Sequence, residues 1–72
     1  MPFVNVKITT GATAEQKEKL IADMTQVLVD VLGKNPASTH VVIEEINADS
    51  WGVGGKTVAE LRATGAANVS RD

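Results

Sequence analysis

The 72-residue chain carries seven basic and nine acidic side chains, a formal charge of −2, and no cysteine. Disulfides and thiolate metal sites are thereby excluded, and the interspersed charges offer neither a basic stripe for nucleic acid nor a polybasic patch for a membrane surface. Hydrophobic residues at 43% and charged ones at 22% fit a folded domain rather than a disordered chain. A domain of this size buries only about 60% of its unfolded surface, so with no staple available the composition predicts self-association. No apolar run approaches the roughly 18 residues of a membrane span, and the start lacks signal-peptide character. One cytoplasmic domain over residues 1–72 is expected, with 65–72 as a loose tail.

Residues 2–10 (PFVNVKITT) alternate Val4, Val6 and Ile8 with Asn5, Lys7 and Thr9, the period of a strand with one buried face. Gly11 ends it, and Thr13 with Gln16 three places on forms a capping box that opens a helix. Leu20, Ile21, Met24, Val27, Leu28, Val31 and Leu32 then make one apolar stripe. Glu15, Lys17, Glu18, Lys19, Asp23 and Asp30 form the solvated face, with Glu15 and Lys19 spaced to pair. Gly33 suits the left-handed C′ position, and Pro36 blocks continuation.

Residues 39–46 (THVVIEEI) predict a second strand whose unbroken Val41-Val42-Ile43 core fits cover on both faces. Strand, long helix and strand make a β-α-β unit with parallel strands and a right-handed crossover. After a polar turn at 47–50, Trp51 leads into Gly52-Val53-Gly54-Gly55, which predicts a tight hairpin. Residues 57–64 predict one or two helical turns behind a Thr57/Glu60 capping box. The fold class is therefore α/β in the broad sense (α+β): a β-α-β subunit with a short C-terminal hairpin. Its two-stranded sheet would leave both edges and one face open, and a second copy would complete it to four strands.

Gly55-Lys56-Thr57 matches the end of a phosphate-binding loop, but Ser50 stands where that motif needs its first glycine. His40 is the only imidazole, so a histidine-based metal site has no second ligand, and adjacent Glu44 and Glu45 must point to opposite faces of a strand. Pro2 is different. Removal of Met1, which a small second residue permits, exposes a secondary amine; in an apolar pocket its charged form is disfavoured, and it becomes a base at neutral pH. While Met1 remains attached, the same nitrogen is a tertiary amide with no basicity.

Pro2 at the head of the first strand, the Thr10-Gly11 turn, the Glu15-Gln16-Lys17 helix opening, VVIEEI at 41–46 and an aromatic followed by G-x-G-G at Trp51 to Gly55 together resemble the 4-oxalocrotonate tautomerase family. The resemblance covers about residues 2–62. It implies dimers, and usually trimers of dimers (hexamers), that isomerise an enol or dienol carboxylate to its keto form without a cofactor, in the catabolism of aromatic compounds. It implies Pro2 as catalytic base and acid and Trp51 as the aromatic of an apolar pocket, with Phe3 as a further apolar wall. Ala12 and His40 stand where it expects two substrate-binding arginines, so His40 becomes a polar substrate contact and Arg62 a further cation able to reach a neighbouring subunit's pocket. A dicarboxylate substrate is not implied, since a methyl group cannot replace a bidentate guanidinium. Two rivals remain: a proline-based hydratase, dehalogenase or decarboxylase, and a non-catalytic or ligand-binding oligomer of the same fold.

Overall fold

A computed structural model describes residues 1–65, so the tail expected from Gly65 onward lies, apart from Gly65 itself, outside the described residues. The chain runs β1 (Phe3–Thr9), α1 (Ala14–Leu32), β2 (His40–Ile46), β3 (Gly52–Val53), β4 (Lys56–Thr57) and α2 (Val58–Ala63), with single 3₁₀ turns at Pro36–Ser38 and Ala48–Ser50.

β1 and β2 form one two-stranded sheet. At its head the His40 N–H donates to the Pro2 carbonyl at 3.0 Å, and at its tail the Thr10 N–H donates to the Ile46 carbonyl at 3.1 Å. Both strands advance from the first bond to the second, so they run parallel with α1 between them, the expected β-α-β arrangement of a small α+β protein. Both helices start where capping chemistry starts them. The Thr13 hydroxyl accepts from the Gln16 N–H at 3.1 Å while the Gln16 side chain accepts from the Thr13 N–H at 2.9 Å. Thr57 and Glu60 repeat the device at α2. Each box satisfies two backbone donors that a bare helix end leaves unpaired.

Gly33 ends α1 at φ 65°, with its N–H bonded to the Val29 carbonyl. Gly54 and Gly55 join β3 to the antiparallel β4 at φ 61° and 86°, two successive left-handed residues that only glycine adopts without strain.

The chain divides into two compact units, one of residues 1–7 with 12–44, the other of 8–11 with the chain from 45 onward. In the first, the half-buried apolar side chains include Val4, Val6, Leu20, Met24, Leu28, Val29, Val41 and Ile43. In the second, Val58, 5% exposed, is the one buried side chain among the described residues. The Val58 N–H donates to the Trp51 carbonyl at 2.8 Å and holds the start of α2 to the segment before the hairpin.

Four expectations need correction. Within the single chain β2 is covered on one face only: His40, Val42 and Glu44 are exposed and the intervening residues are half-buried. The apolar stripe of α1 is wider than what this chain covers, since Val27, Val31 and Leu32 are exposed, Val31 at 74%. On the opposite face, Lys17 is half-buried. Lys19 pairs with Asp23 at 2.7 Å rather than with Glu15.

Candidate active site

Pro2 stands immediately before β1, half-buried, with Met1 90% exposed ahead of it. Its carbonyl accepts the His40 N–H, so the first residue of β2 lies beside it. This bond uses only the His40 backbone and leaves the imidazole, on an exposed residue, free of that duty. Phe3 follows Pro2 and is 65% exposed. By strand alternation Phe3 belongs with the exposed row of β1, whereas Pro2 belongs with the half-buried row. The first unit thus brings together Pro2, Phe3 and His40.

Trp51 and Arg62 belong to the second unit. Trp51 is half-buried and tied by its carbonyl to the start of α2. Arg62, on α2, donates from Nη2 to the Thr9 hydroxyl at 3.1 Å in a part-buried contact. It is therefore engaged inside its own chain at the last residue of β1. In the same unit the half-buried Glu45 accepts the Gly11 N–H through Oε2 at 3.2 Å and braces the turn that leads to Ala12. Neither Thr9 nor Glu45 stood out in the sequence. Glu45 was visible only as the inward neighbour of Glu44, and Thr9 only as a polar strand residue.

On the first unit, Lys7 donates to Glu44 at 2.7 Å and to the Asn5 side chain at 2.8 Å. The Lys7 ammonium, by hydrogen bond and by charge, holds the Glu44 carboxyl below the usual carboxylate range. As expected from strand alternation, Glu44 is exposed and Glu45 half-buried. Among the described residues no cluster of three or more His, Cys, Asp or Glu side chains is arranged to hold a metal, and no helix is long and apolar enough to cross a membrane.

The chemistry open to this arrangement is set by the Pro2 nitrogen. With Met1 attached it is an amide; with Met1 removed it is a secondary amine at the head of β1, in the residue whose carbonyl accepts the His40 N–H.

The model of the tautomerase enzyme family matches residues 2–61, and the chain belongs to this family. It is 62% identical over 63 residues, 86% of this chain and 94% of the other, to the probable tautomerase K2 of Dickeya dadantii. Its fold is similar to that of the crystal structure of DmpI from Helicobacter pylori, with a TM-score of 0.82 and 42% identity over 86% of this chain and 97% of that one. It is also similar, with a TM-score of 0.80 and 27% identity over 86% of this chain and all of the other, to a chain of a heterohexameric 4-oxalocrotonate tautomerase from Chloroflexus aurantiacus.

Proposed function

We propose that this tautomerase-family chain converts an enol or dienol carboxylate to its keto form, with Pro2 as the group that carries the proton once Met1 is removed. The observation that carries the reading is the place of Pro2, half-buried at the head of β1 with its carbonyl held by the His40 N–H, in a family whose relatives are named probable tautomerases. The 90% exposure of Met1 leaves the bond to be cut within reach of an aminopeptidase. The freed amine takes the enolic proton and returns it to carbon, and one group serves as base and then acid because its charged and neutral forms are both accessible near neutral pH.

His40 supplies a polar contact to the substrate carboxylate or carbonyl. Ala12, a half-buried methyl group beside the Gly11 turn, favours a substrate with one carboxylate over one with two. Phe3 is one apolar wall, and Trp51 of a neighbouring copy is another. Arg62, bonded to Thr9, serves first to hold α2 in place. The chain acts as an oligomer of dimers, a reading supported by the heterohexamer of the Chloroflexus relative and by the exposed Val27, Val31 and Leu32 of α1.

The test uses Met1-free protein, confirmed by intact mass, with 2-hydroxymuconate and phenylenolpyruvate as substrates. Ketonisation above the buffer rate, lost in Pro2→Ala, is expected. Equal rates for both proteins would remove Pro2 from the mechanism, and binding without turnover would favour the non-catalytic oligomer.

A further inference from the structure

The two strands keep one register from end to end. The His40 N–H on the Pro2 carbonyl sets residue 40 opposite residue 3, and the Thr10 N–H on the Ile46 carbonyl sets residue 46 opposite residue 9, the same offset of 37 that separates Lys7 from Glu44. On the exposed row Phe3 is therefore the cross-strand neighbour of His40, and Lys7 that of Glu44, to which it is joined at 2.7 Å. The charged groups on the His40 side of the sheet follow from this order. On β1 they are Lys7 and, once Met1 is gone, the Pro2 nitrogen; on β2 there is Glu44. Lys7 is occupied by Glu44 and the Asn5 side chain. Residues 35–39 carry no titratable side chain, and the next charge back along the chain is the exposed Lys34. The charges of α1 lie behind the sheet, because the row that holds His40 is the exposed one. Among the described residues the imidazole has neither a hydrogen-bond nor a charge partner, and its neighbour across the strands is an aromatic ring 65% exposed.

We propose that His40 makes carboxylate binding at this site conditional on pH: as an imidazolium it holds the carboxylate of the substrate, and on losing its proton it lets go. The inference rests on the reading of His40 as the substrate contact and assigns that contact a charge state. Imidazole is the side chain that ordinarily changes charge between about pH 5 and pH 8, whereas an enol carboxylate is anionic over the whole range. A charge-assisted hydrogen bond is roughly twice as strong as a neutral one, so the neutral ring keeps a single, weaker N–H contact. Lys7, the one lysine or arginine of this row, cannot take over, because Glu44 already neutralises it. Pro2 works in the opposite sense, since its nitrogen accepts the enolic proton only while uncharged. The two requirements confine kcat/KM to a window, closed at low pH by a protonated Pro2 and at high pH by a neutral His40.

The probe is 3-phenylpropanoate, an anion with no enol to react, with 3-phenylpropanol as its uncharged counterpart, each titrated calorimetrically into Met1-free protein. The Kd of the anion is expected to rise about tenfold or more from about pH 6 to about pH 8, while that of the alcohol stays level. H40R should bind the anion with a Kd that does not move over this range, and H40Q should bind it weakly at both ends; circular dichroism checks that both variants are folded. By reciprocity, the midpoint of the His40 ring in an NMR titration should rise when the anion is saturating. With phenylenolpyruvate as substrate, H40R should lose only the alkaline limb of kcat/KM. Absence of anion binding at the acid end, or a Kd that is level with pH, would overturn the proposal, the latter by giving the carboxylate to a permanent cation such as Arg62 of another copy. A pH dependence that survives in H40Q would also overturn it and give the carboxylate to the Pro2 amine. Ketonisation unaffected by Pro2→Ala would defeat the reading of Pro2 and leave the binding result standing, whereas level binding in a protein that needs Pro2 would defeat only the role of His40.

Discussion

The His40 N–H donates to the Pro2 carbonyl at 3.0 Å, so the residue proposed to react and the residue proposed to touch substrate are joined through backbone alone. The anchoring of Pro2 therefore does not depend on what side chain residue 40 carries.

That separation is measurable with two substitutions at one position. His40→Ala keeps the N–H and is expected to leave stability within about 0.5 kcal/mol, as for an exposed side chain. It should raise KM for an enol carboxylate with a smaller change in kcat. His40→Pro removes the donor while fitting the extended backbone of Thr39, and is expected to cost about 1 kcal/mol and to lower kcat as Pro2 loses its tether. Chemical denaturation and steady-state kinetics on Met1-free protein check both; equal behaviour of the two variants would contradict the split.

The capping boxes make a prediction about stability alone. Thr13→Ala leaves the Gln16 N–H without its acceptor at the start of a 19-residue helix and is expected to cost about 1 kcal/mol. Thr13→Ser should keep most of it. Thermal melts at one fixed protein concentration read the difference.

Arg62 and Thr9 form the contact that distinguishes a structural arginine from a substrate-binding one. If the 3.1 Å bond is what Arg62 provides, Arg62→Ala and Thr9→Val should each destabilise, and a double-mutant cycle should show coupling of about 1 kcal/mol. Additive losses, with the effect of Arg62→Ala confined to KM, would place the guanidinium in a neighbouring subunit's pocket instead.

The pH dependence of the Lys7–Glu44 pair has a definite sign. Lys7 lowers the pKa of Glu44 in the folded chain, so the contribution of the pair is complete above the pKa that Glu44 has when unfolded and is lost as pH falls through the lowered folded value. In Lys7→Met the Glu44 midpoint should rise toward the usual carboxylate range, as followed by the carbon shift of its carboxyl group in an NMR titration. Both groups are solvated within the single chain, so the effect on its unfolding free energy is small.

Local chemistry made much of this fold legible. Thr13 with Gln16, Thr57 with Glu60, the Gly33 stop and the Gly54-Gly55 turn are rules of a few adjacent residues, and each appears where the sequence put it. What the sequence hid depends on residues far apart along the chain. The half-exposed state of β2 could not be read from Val41-Val42-Ile43, because propensity and burial both favour the same side chains. The 3₁₀ turns at Pro36–Ser38 and Ala48–Ser50 stood in the sequence only as polar breaks. For the candidate site, Pro2 and His40 were legible as unusual residues and the strand order set them side by side. The contacts of Arg62 with Thr9 and of Glu45 with Gly11, across 53 and 34 residues, carried no local signal.

Val58 is the one described side chain closed off from water. For a chain with so small an interior, the self-association proposed above would make molarity a folding coordinate: native population would rise with copy number, and the melting temperature would shift upward with concentration. Gene dosage then sets not only how much of the protein a cell holds but what fraction of it is folded.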